Sequence, residues 1–250
     1  MGSDDLFKKR RTKLQERKKE TRTPKPNSFL IVSEGKKTEP LYFEGLANHI
    51  NEKYGKSIDI EKPLITPRGE GKSTVSLIEE AAKIASRAPI MYSQVWVVFD
   101  KDDFDDFDEA VALAEKYGFK VAWSNQSFEY WIYLHFNYSD SALHRDDWVS
   151  KLSKIFKDLG INDNGYEKNN PNIFEIATTY GSLKFAITNA IRVEKLHVNK
   201  TKPSLCDPCT MVYLLIKELK QRFTRGYKRY KETSGLMEWK IGHIFHSIFT

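Results

Sequence analysis

Carboxylates follow directly after an apolar segment near the middle of the sequence. A buried strand over Val95 to Phe99 would place Asp100 and Asp102 at its carboxyl end, the edge of an open α/β sheet where ligands usually bind. Acids this close repel one another unless a positive charge lies between them, and a hard divalent cation with oxygen ligands is the ordinary candidate. The segment therefore predicts a metal site at Asp100, Asp102 and Asp103. The alternative is that Asp102 and Asp103 only cap a helix that begins near Phe104.

Strands and helices must alternate to position these acids. Strand patterns occur at Ser28 to Val32, Ile58 to Ile65, Val95 to Phe99 and Phe119 to Trp123, and helix patterns follow from Pro40, Ser73, Phe107 and Ser127. Parallel neighbours require crossovers, which are normally helical, so the order predicts an α/β fold with a doubly wound, mainly parallel sheet. If the first and third strands are adjacent, Glu34 converges with Asp100 and Asp102 at one sheet edge.

Helical patterns dominate the second half of the sequence. We expect helices at Asp146 to Leu159, Ile173 to Val193, Asp207 to Phe223 and Met237 to Ile248, and no further strands. The pair Asp207-Pro208 has the residues of a helix cap and a first-turn proline. The predicted organisation is a basic disordered arm over 1–27, an α/β core over 28–139 and a helical region over 140–250 that packs on the core.

Composition narrows the classes of protein. With 250 residues, 40% of them hydrophobic, the chain can bury a substantial core. No stretch has the roughly 18 uninterrupted apolar residues of a membrane span, and no apolar stretch follows the basic N-terminus as in a signal peptide. We therefore expect a cytoplasmic protein without membrane association. Cys206 and Cys209 form a single C-x-x-C, too few ligands for a zinc site, so both are expected to be structural.

The basic residues suggest a nucleic-acid partner. Residues 1–28 hold 10 Lys and Arg against 4 acids, which accounts for the whole formal net charge of +6. Such an arm adds salt-sensitive affinity for nucleic acid, although it can equally be a solubilising tail. Near the C-terminus Arg225, Lys228 and Arg229 alternate with Tyr227 and Tyr230, a mixture that suits RNA or a single strand; the alternative is a solvated helix face.

Further candidates lie close to the acids in the sequence. Lys36, Lys37 and Lys101 are placed to contact phosphate oxygens, or else to balance the neighbouring acids. Glu129 stands at the head of the helix after the fourth strand, where it would be an outer metal ligand, orient a water, or serve only the electrostatics of the helix terminus. His135 on that helix is expected to be buried and structural.

Four blocks of the sequence together resemble the RloB family. They are residues 32–43 (VSEGKKTEPLYF), 98–103 (VFDKDD), 124–131 (SNQSFEYW) with 134–136 (LHF), and 207–210 (DPCT). A strand ending in Glu-Gly followed by one ending in Asp-x-Asp also resembles the Toprim domain of topoisomerases, primases and several nucleases. The chain departs from the RloB pattern at Gln126, where a proline is expected, and at Asp207 and Cys209, where Asn and Ser are expected. Neither departure touches the proposed metal carboxylates.

The resemblance implies a Toprim-like core with a helical C-terminal extension and a role in bacterial anti-phage defence. Together with the carboxylates it implies a phosphodiesterase in which Glu34, Asp100 and Asp102 hold one or two Mg²⁺ ions, with Mn²⁺ as a substitute; Glu34 could instead be the general base. Lys36 and Glu129 complete the expected catalytic set.

Three functions remain open at this level. The first is RNA cleavage, with tRNA the most natural target of an abortive-infection effector, and the second is cleavage or nicking of DNA. The third is a non-catalytic nucleic-acid-binding or assembly subunit. A second copy of the chain or a protein of a defence system is the expected protein partner.

Overall fold

Alternating strands and helices build the first half of the protein, as predicted. The computed structural model describes residues 23–54, 64–65, 74–101 and 105–222. The elements of the first half are β1 (Lys25–Ser33), α1 (Thr38–Tyr54), β2 (Leu64–Ile65), α2 (Thr74–Arg87), β3 (Tyr92–Asp100), α3 (Phe107–Lys116), β4 (Lys120–Asn125) and α4 (Phe128–Tyr133). The second half contains α5 (Arg145–Asp158), α6 (Ile173–Thr179), α7 (Leu183–Glu194), 3₁₀ turns at Lys195–His197 and Pro203–Leu205, β5 (Cys209–Thr210) and helix α8 over 212–222.

The strands form one sheet in the order β2-β1-β3-β4-β5. The first four are parallel, and β5 is antiparallel to β4. Ser33 of β1 is in register with Val98, and Asp100 is in register with Ser124 of β4. The first and third strands are therefore adjacent, which is the condition for Glu34 and Asp100 to converge, and the carboxyl ends of β1, β3 and β4 meet at one edge. The mixed α/β architecture is compatible with a Toprim-like fold.

Both faces of the sheet are covered, which explains why its central strands are almost continuously apolar. Phe29, Ile31 and Val98 point into a layer shared with α1, α4 and the helices of the second half, including Trp148 and Phe156. Their neighbours along the same strands point the other way, into a layer shared with α2 and α3, and include Leu30, Val32, Val97 and Phe99. The alternation of side chains thus divides each central strand between two cores.

Glu218 fastens α8 to the amino ends of β3 and β4. Its carboxylate accepts a hydrogen bond from Gln94 Nε2 at 2.7 Å and pairs with Lys120 Nζ at 3.1 Å and Arg222 Nε at 3.0 Å. Against the effect of burial, hydrogen bonds from these three partners lower the pKa of Glu218 to about 2. The contact lies at the end of the sheet opposite the acids.

One helix and one strand differ from the expectation at their amino ends. α3 begins at Phe107 with Asp106 at the cap position, so the helix predicted near Phe104 starts later, and Asp102 and Asp103 precede the cap. β1 begins at Lys25, inside the predicted arm, because the Lys25 N–H donates to the Met91 carbonyl at 2.8 Å. The predicted arm up to residue 22 lies outside the described residues.

The single helix predicted over Ile173 to Val193 was wrong, because the chain leaves α6 after Thr179. The Ser182 N–H donates to the His135 carbonyl at 2.8 Å, and Ser182 Oγ then accepts the N–H of Phe185 to begin α7. A Cβ at Gly181 would stand only 2.8 Å from the His135 oxygen. The glycine permits the close approach that divides the helix.

The helix predicted to begin at Asp207 was also wrong, and the expectation of no later strand fails with it. Cys209 and Thr210 pair with the free edge of β4, Thr210 Oγ1 lies 3.0 Å from Ser124 Oγ, and helix formation begins only at residue 212. Pairing with β4 outweighs the local cap signal. Both cysteines are buried free thiols. The helix predicted over Met237 to Ile248 lies outside the described part of the chain. None of the described helices combines the length and apolarity needed to span a bilayer.

Candidate active site

Four carboxylates line one cleft at the carboxyl edge of the sheet. The cleft has a volume of about 270 Å³ and is lined by Glu34, Gly35, Lys36, Lys37, Thr38, Glu39, Asp100, Glu129 and Lys168. Glu34 follows β1, Asp100 ends β3, and Glu129 lies in the first turn of α4 after β4. The structure therefore brings Glu34, Asp100 and Glu129 together, as the parallel order of the strands requires.

Asp100 has two oxygens in different environments. Oδ2 accepts a hydrogen bond from the Phe128 N–H at 3.1 Å, at the start of α4. Ser127 holds the cap position of α4, but its side chain makes no capping hydrogen bond, so Asp100 of the neighbouring strand supplies the acceptor at the start of this helix. Asp100 Oδ1 is buried and has no hydrogen-bond partner among the described residues. A buried carboxylate oxygen without a partner is costly, so it is stabilised by binding a cation or a proton.

Electrostatics favours a proton when no cation is present. Burial, followed by the negative charges of Glu39 and Glu129, raises the pKa of Asp100 well above its usual range, and Glu34 adds to the effect. Bound cations reverse this balance because they favour the ionised form of each neighbouring acid. The site is therefore short of positive charge.

Glu39 is a member of the cleft that the sequence analysis did not single out. Its carboxylate packs directly over Gly35, where any Cβ would collide with it. Burial raises the pKa of Glu39 to about 7, with a further contribution from the charge of Glu129 and an opposing one from Lys168. In the sequence Glu39 is an ordinary acid in the first turn of a helix. The only local signal was Gly35, four residues earlier, whose missing side chain lets the Glu39 carboxylate pack against the turn.

Glu129 is nearly fully buried, at 2% exposure, and contacts two residues from the loop between α5 and α6. The Tyr166 hydroxyl donates to Glu129 Oε1 at 3.3 Å, and Lys168 Nζ lies 3.2 Å from the same oxygen. Burial and the charge of Glu129 raise the pKa of Tyr166 well above its usual range, so the phenol keeps its proton. The sequence analysis missed both residues because nothing local to positions 166 and 168 indicates a contact with Glu129.

The remaining predicted residues are distributed as follows. Lys36 and Lys37 are exposed on the turn after β1, at the mouth of the cleft. Lys101 is half-buried, and its N–H continues the pairing of β3 by donating to the Ser124 carbonyl at 2.8 Å. Outside the described residues lie Asp102, Asp103, Arg225, Lys228 and Arg229.

His135 lies in the core rather than in the cleft. Its Nε2 is 3.0 Å from the Tyr42 hydroxyl, and its ring packs edge-on against Trp131. Burial lowers the pKa of His135 to about 3, so the imidazole is neutral at physiological pH. This arrangement agrees with the expected structural role.

The donor chemistry of the cleft fits a hard divalent cation. Its acids offer oxygen ligands, and the buried Oδ1 of Asp100 has no partner among the described residues. Within the described ranges, no three His, Cys, Asp or Glu side chains are gathered closely enough to form a complete metal site.

Comparison with known proteins gives one match. The profile of a family described as RloB-like protein matches residues 29–219, which extend from β1 into α8 and include Glu34, Asp100, Glu129 and Lys168. No curated protein matches the chain, and no solved structure matches it either. Because the match covers most of the sequence, this chain belongs to the RloB-like protein family.

Proposed function

We propose that this protein is a Mg²⁺-dependent phosphodiesterase that cleaves RNA, with tRNA as the favoured substrate. The observation that carries the proposal is the cluster of Glu34, Glu39, Asp100 and Glu129 around one cleft at the carboxyl edge of the sheet. Such a cluster is costly for a protein to maintain unless it serves a cation. Mn²⁺ is the expected substitute because it accepts the same oxygen ligands.

Asp100, Glu34 and Asp102 would hold the metal, with Asp103 the next nearest acid in the sequence. When bound, Mg²⁺ would neutralise the scissile phosphate and lower the pKa of a water or hydroxyl nucleophile. Glu34 serves either as a ligand or as the general base. The hydrogen bond between Phe128 N–H and Asp100 Oδ2 fixes that carboxylate relative to the sheet edge.

The other residues of the cleft serve the polyanionic substrate. Lys36 and Lys37 are exposed and line the cleft, so they would attract the phosphate backbone, and Lys101, directly after β3, would add a further positive charge. The basic residues Arg225, Lys228 and Arg229, which lie outside the described residues, would add further contacts with the nucleic acid. Glu39 would accept or release a proton near neutral pH in the metal-free protein, since its pKa is about 7.

The biological role follows from the family resemblance. An effector of anti-phage defence that stops translation by cutting tRNA would act in the cytoplasm and would need restraint until infection, by a partner protein or by self-association. Cleavage of DNA by the same carboxylates is the second candidate, because the described residues of the cleft are acids, lysines, a glycine and a threonine, which bind phosphate or metal in either nucleic acid. A non-catalytic nucleic-acid-binding or assembly subunit, whose carboxylates would bind metal structurally or not at all, is the third candidate.

Cleavage of an end-labelled total tRNA pool tests the proposal. Wild type should give discrete fragments with Mg²⁺ or Mn²⁺ and none with EDTA, while Asp100→Asn should lose at least about 100-fold in rate. Asp147→Asn on the exposed surface of α5 is the matched control and should cleave like wild type. Fragments of equal yield from Asp100→Asn would contradict the proposal. Nicking of plasmid without cleavage of tRNA would select the DNA alternative, and binding of tRNA without any cleavage would select the third.

A further inference from the structure

The loop between α5 and α6 forms one wall of the cleft. Besides the contacts of Tyr166 and Lys168 with Glu129, Thr38 Oγ1 donates to the Lys168 carbonyl at 3.0 Å and lies 3.3 Å from the Tyr166 hydroxyl. Thr38 is the first residue of α1, directly after the turn that contains Glu34. The second half of the chain is thus joined to the cleft by hydrogen bonds to α1 and to α4.

The same loop is held from behind by α5. Ser153 Oγ accepts the N–H of Tyr166 at 3.2 Å, and the Tyr166 ring meets Phe156 edge-on at 5.6 Å. Gly165, with φ of +89°, packs against Ser153 in a conformation that favours glycine. Because the loop is fixed on both sides, it presents Lys168 at a defined place beside the cleft.

Lys168 and Glu129 differ sharply in exposure. The Glu129 side chain is 3% exposed, whereas that of Lys168 is 53% exposed. A buried carboxylate requires a compensating cation, and the ammonium of Lys168 supplies it. An ammonium has three N–H donors, so the contact with Glu129 leaves two for another acceptor. Since Lys168 lines the cleft, those donors are available to an anion that enters it.

We propose that Lys168 contacts the scissile phosphate, and that Glu129 and Tyr166 are positioning residues that hold the Lys168 ammonium in place. This inference rests on the proposed phosphodiesterase function. It also gives Glu129 a role other than metal ligand, because its Oε1 already accepts a hydrogen bond from the Tyr166 hydroxyl and forms an ion pair with the Lys168 ammonium. Lys36 and Lys37 lie on the exposed turn, whereas Lys168 is paired with a buried acid at the cleft wall. Lys168 is therefore the better ordered hydrogen-bond donor to a phosphate oxygen.

The test separates contact with phosphate from mere neutralisation of Glu129. Lys168→Met leaves Glu129 buried without its cation, so its loss of activity alone would be ambiguous. The double variant Lys168→Met, Glu129→Gln also removes the negative charge of Glu129. It should therefore be as stable as wild type, which thermal melting checks. We expect both variants to lose about 100-fold or more in kcat on labelled tRNA, with KM changed by less than about threefold, since the contact strengthens in the transition state.

Two matched variants complete the design. Lys168→Arg keeps the charge and should recover at least about a tenth of wild-type kcat, whereas Lys151→Met removes an exposed lysine of α5 and should change nothing. Recovery of full activity by the double variant would overturn the proposal, because it would show that Lys168 only neutralises Glu129. Equal kcat values for Lys168→Met and Lys151→Met would overturn it as well.

A binding measurement keeps this inference separate from the proposed function. The affinity of wild type and of both Lys168→Met variants for a fluorescent single-stranded RNA is measured in Ca²⁺ against salt concentration. Loss of one phosphate contact should reduce the salt slope by about 1. If wild type binds but cleaves no nucleic acid, the enzymatic proposal fails, and the slope still decides whether Lys168 contacts phosphate. An unchanged slope refutes that contact, and a wild type that neither binds nor cleaves refutes both.

Discussion

Replacing Glu39 with glutamine should stabilise the metal-free protein, and increasingly so as the pH rises. The glutamine keeps the shape of the side chain over Gly35 but removes an ionisation that the buried site resists. Burial raises the pKa of Glu39 from 4.5 to about 7. A shift of that size corresponds to about 3 kcal/mol of differential stability, because one pKa unit is about 1.4 kcal/mol.

The sign follows from proton linkage. Below pH 4.5 the carboxyl is protonated in both the folded and the unfolded chain, so folding involves no proton uptake at this group. Between pH 4.5 and about 7 the unfolded chain ionises while the folded chain holds its proton, and the wild-type free energy of unfolding falls. Above pH 7 the penalty is constant. The stability gap between Glu39→Gln and wild type should therefore widen by about 3 kcal/mol between pH 4.5 and pH 8.

Urea unfolding followed by tryptophan fluorescence, in EDTA and at half-unit steps of pH, measures the gap. Glu44→Gln is the matched control, because it removes an exposed carboxylate from the same helix. Saturating Mg²⁺ should narrow the Glu39→Gln gap, since a cation in the cleft favours the ionised carboxyl. A stability gap that is independent of pH, or that narrows as the pH rises, would refute the conclusion that the cleft lacks positive charge to balance its acids.

Three further outcomes can be checked. Gly35→Ala forces the Glu39 carboxylate, the end of a flexible side chain, out of its place over the turn, so we expect only about 0.5 to 1.5 kcal/mol of destabilisation in urea unfolding but a clear loss of cleavage; a variant that cleaves like wild type would contradict the close approach. Glu218→Gln should cost about 1 kcal/mol at pH 7 after allowance for solvent screening, and the difference from wild type should disappear as the pH falls from 4.5 towards 2, because the pKa of Glu218 is lowered. Tyr42→Phe leaves His135 Nε2 without its partner and should lower the free energy of unfolding by about 1 to 3 kcal/mol, with cleavage unchanged at temperatures where the variant is folded.

Residue patterns predict much of the sheet and part of the cleft. The apolar runs ending in Glu34 and Asp100 are local features, and the parallel order that brings them together follows from the alternation of strands with helices. Glu129 was found for the same reason. These predictions need only the direction of each strand and the residue at its end.

The residues that were missed depend on contacts between distant parts of the chain. Lys168 and Tyr166 reach Glu129 from a loop whose own sequence predicts only irregular structure. Cys209 and Thr210 follow a good local helix signal, which the free edge of β4 overrides. Tertiary pairing of this kind has no local signature, so periodicity and capping rules cannot predict it.

The late position of Tyr166 and Thr210 also has a consequence during synthesis. Tyr166 is 37 residues beyond Glu129, and Thr210 is 86 residues beyond the Ser124 side chain that it contacts. At about 5 to 20 residues per second, the ribosome needs roughly 2 to 7 s to add the first interval and roughly 4 to 17 s to add the second. A nascent chain therefore carries its acids for seconds before the wall of the cleft exists. Under the proposed function, the cleft that would cut tRNA is complete only once synthesis has passed Lys168.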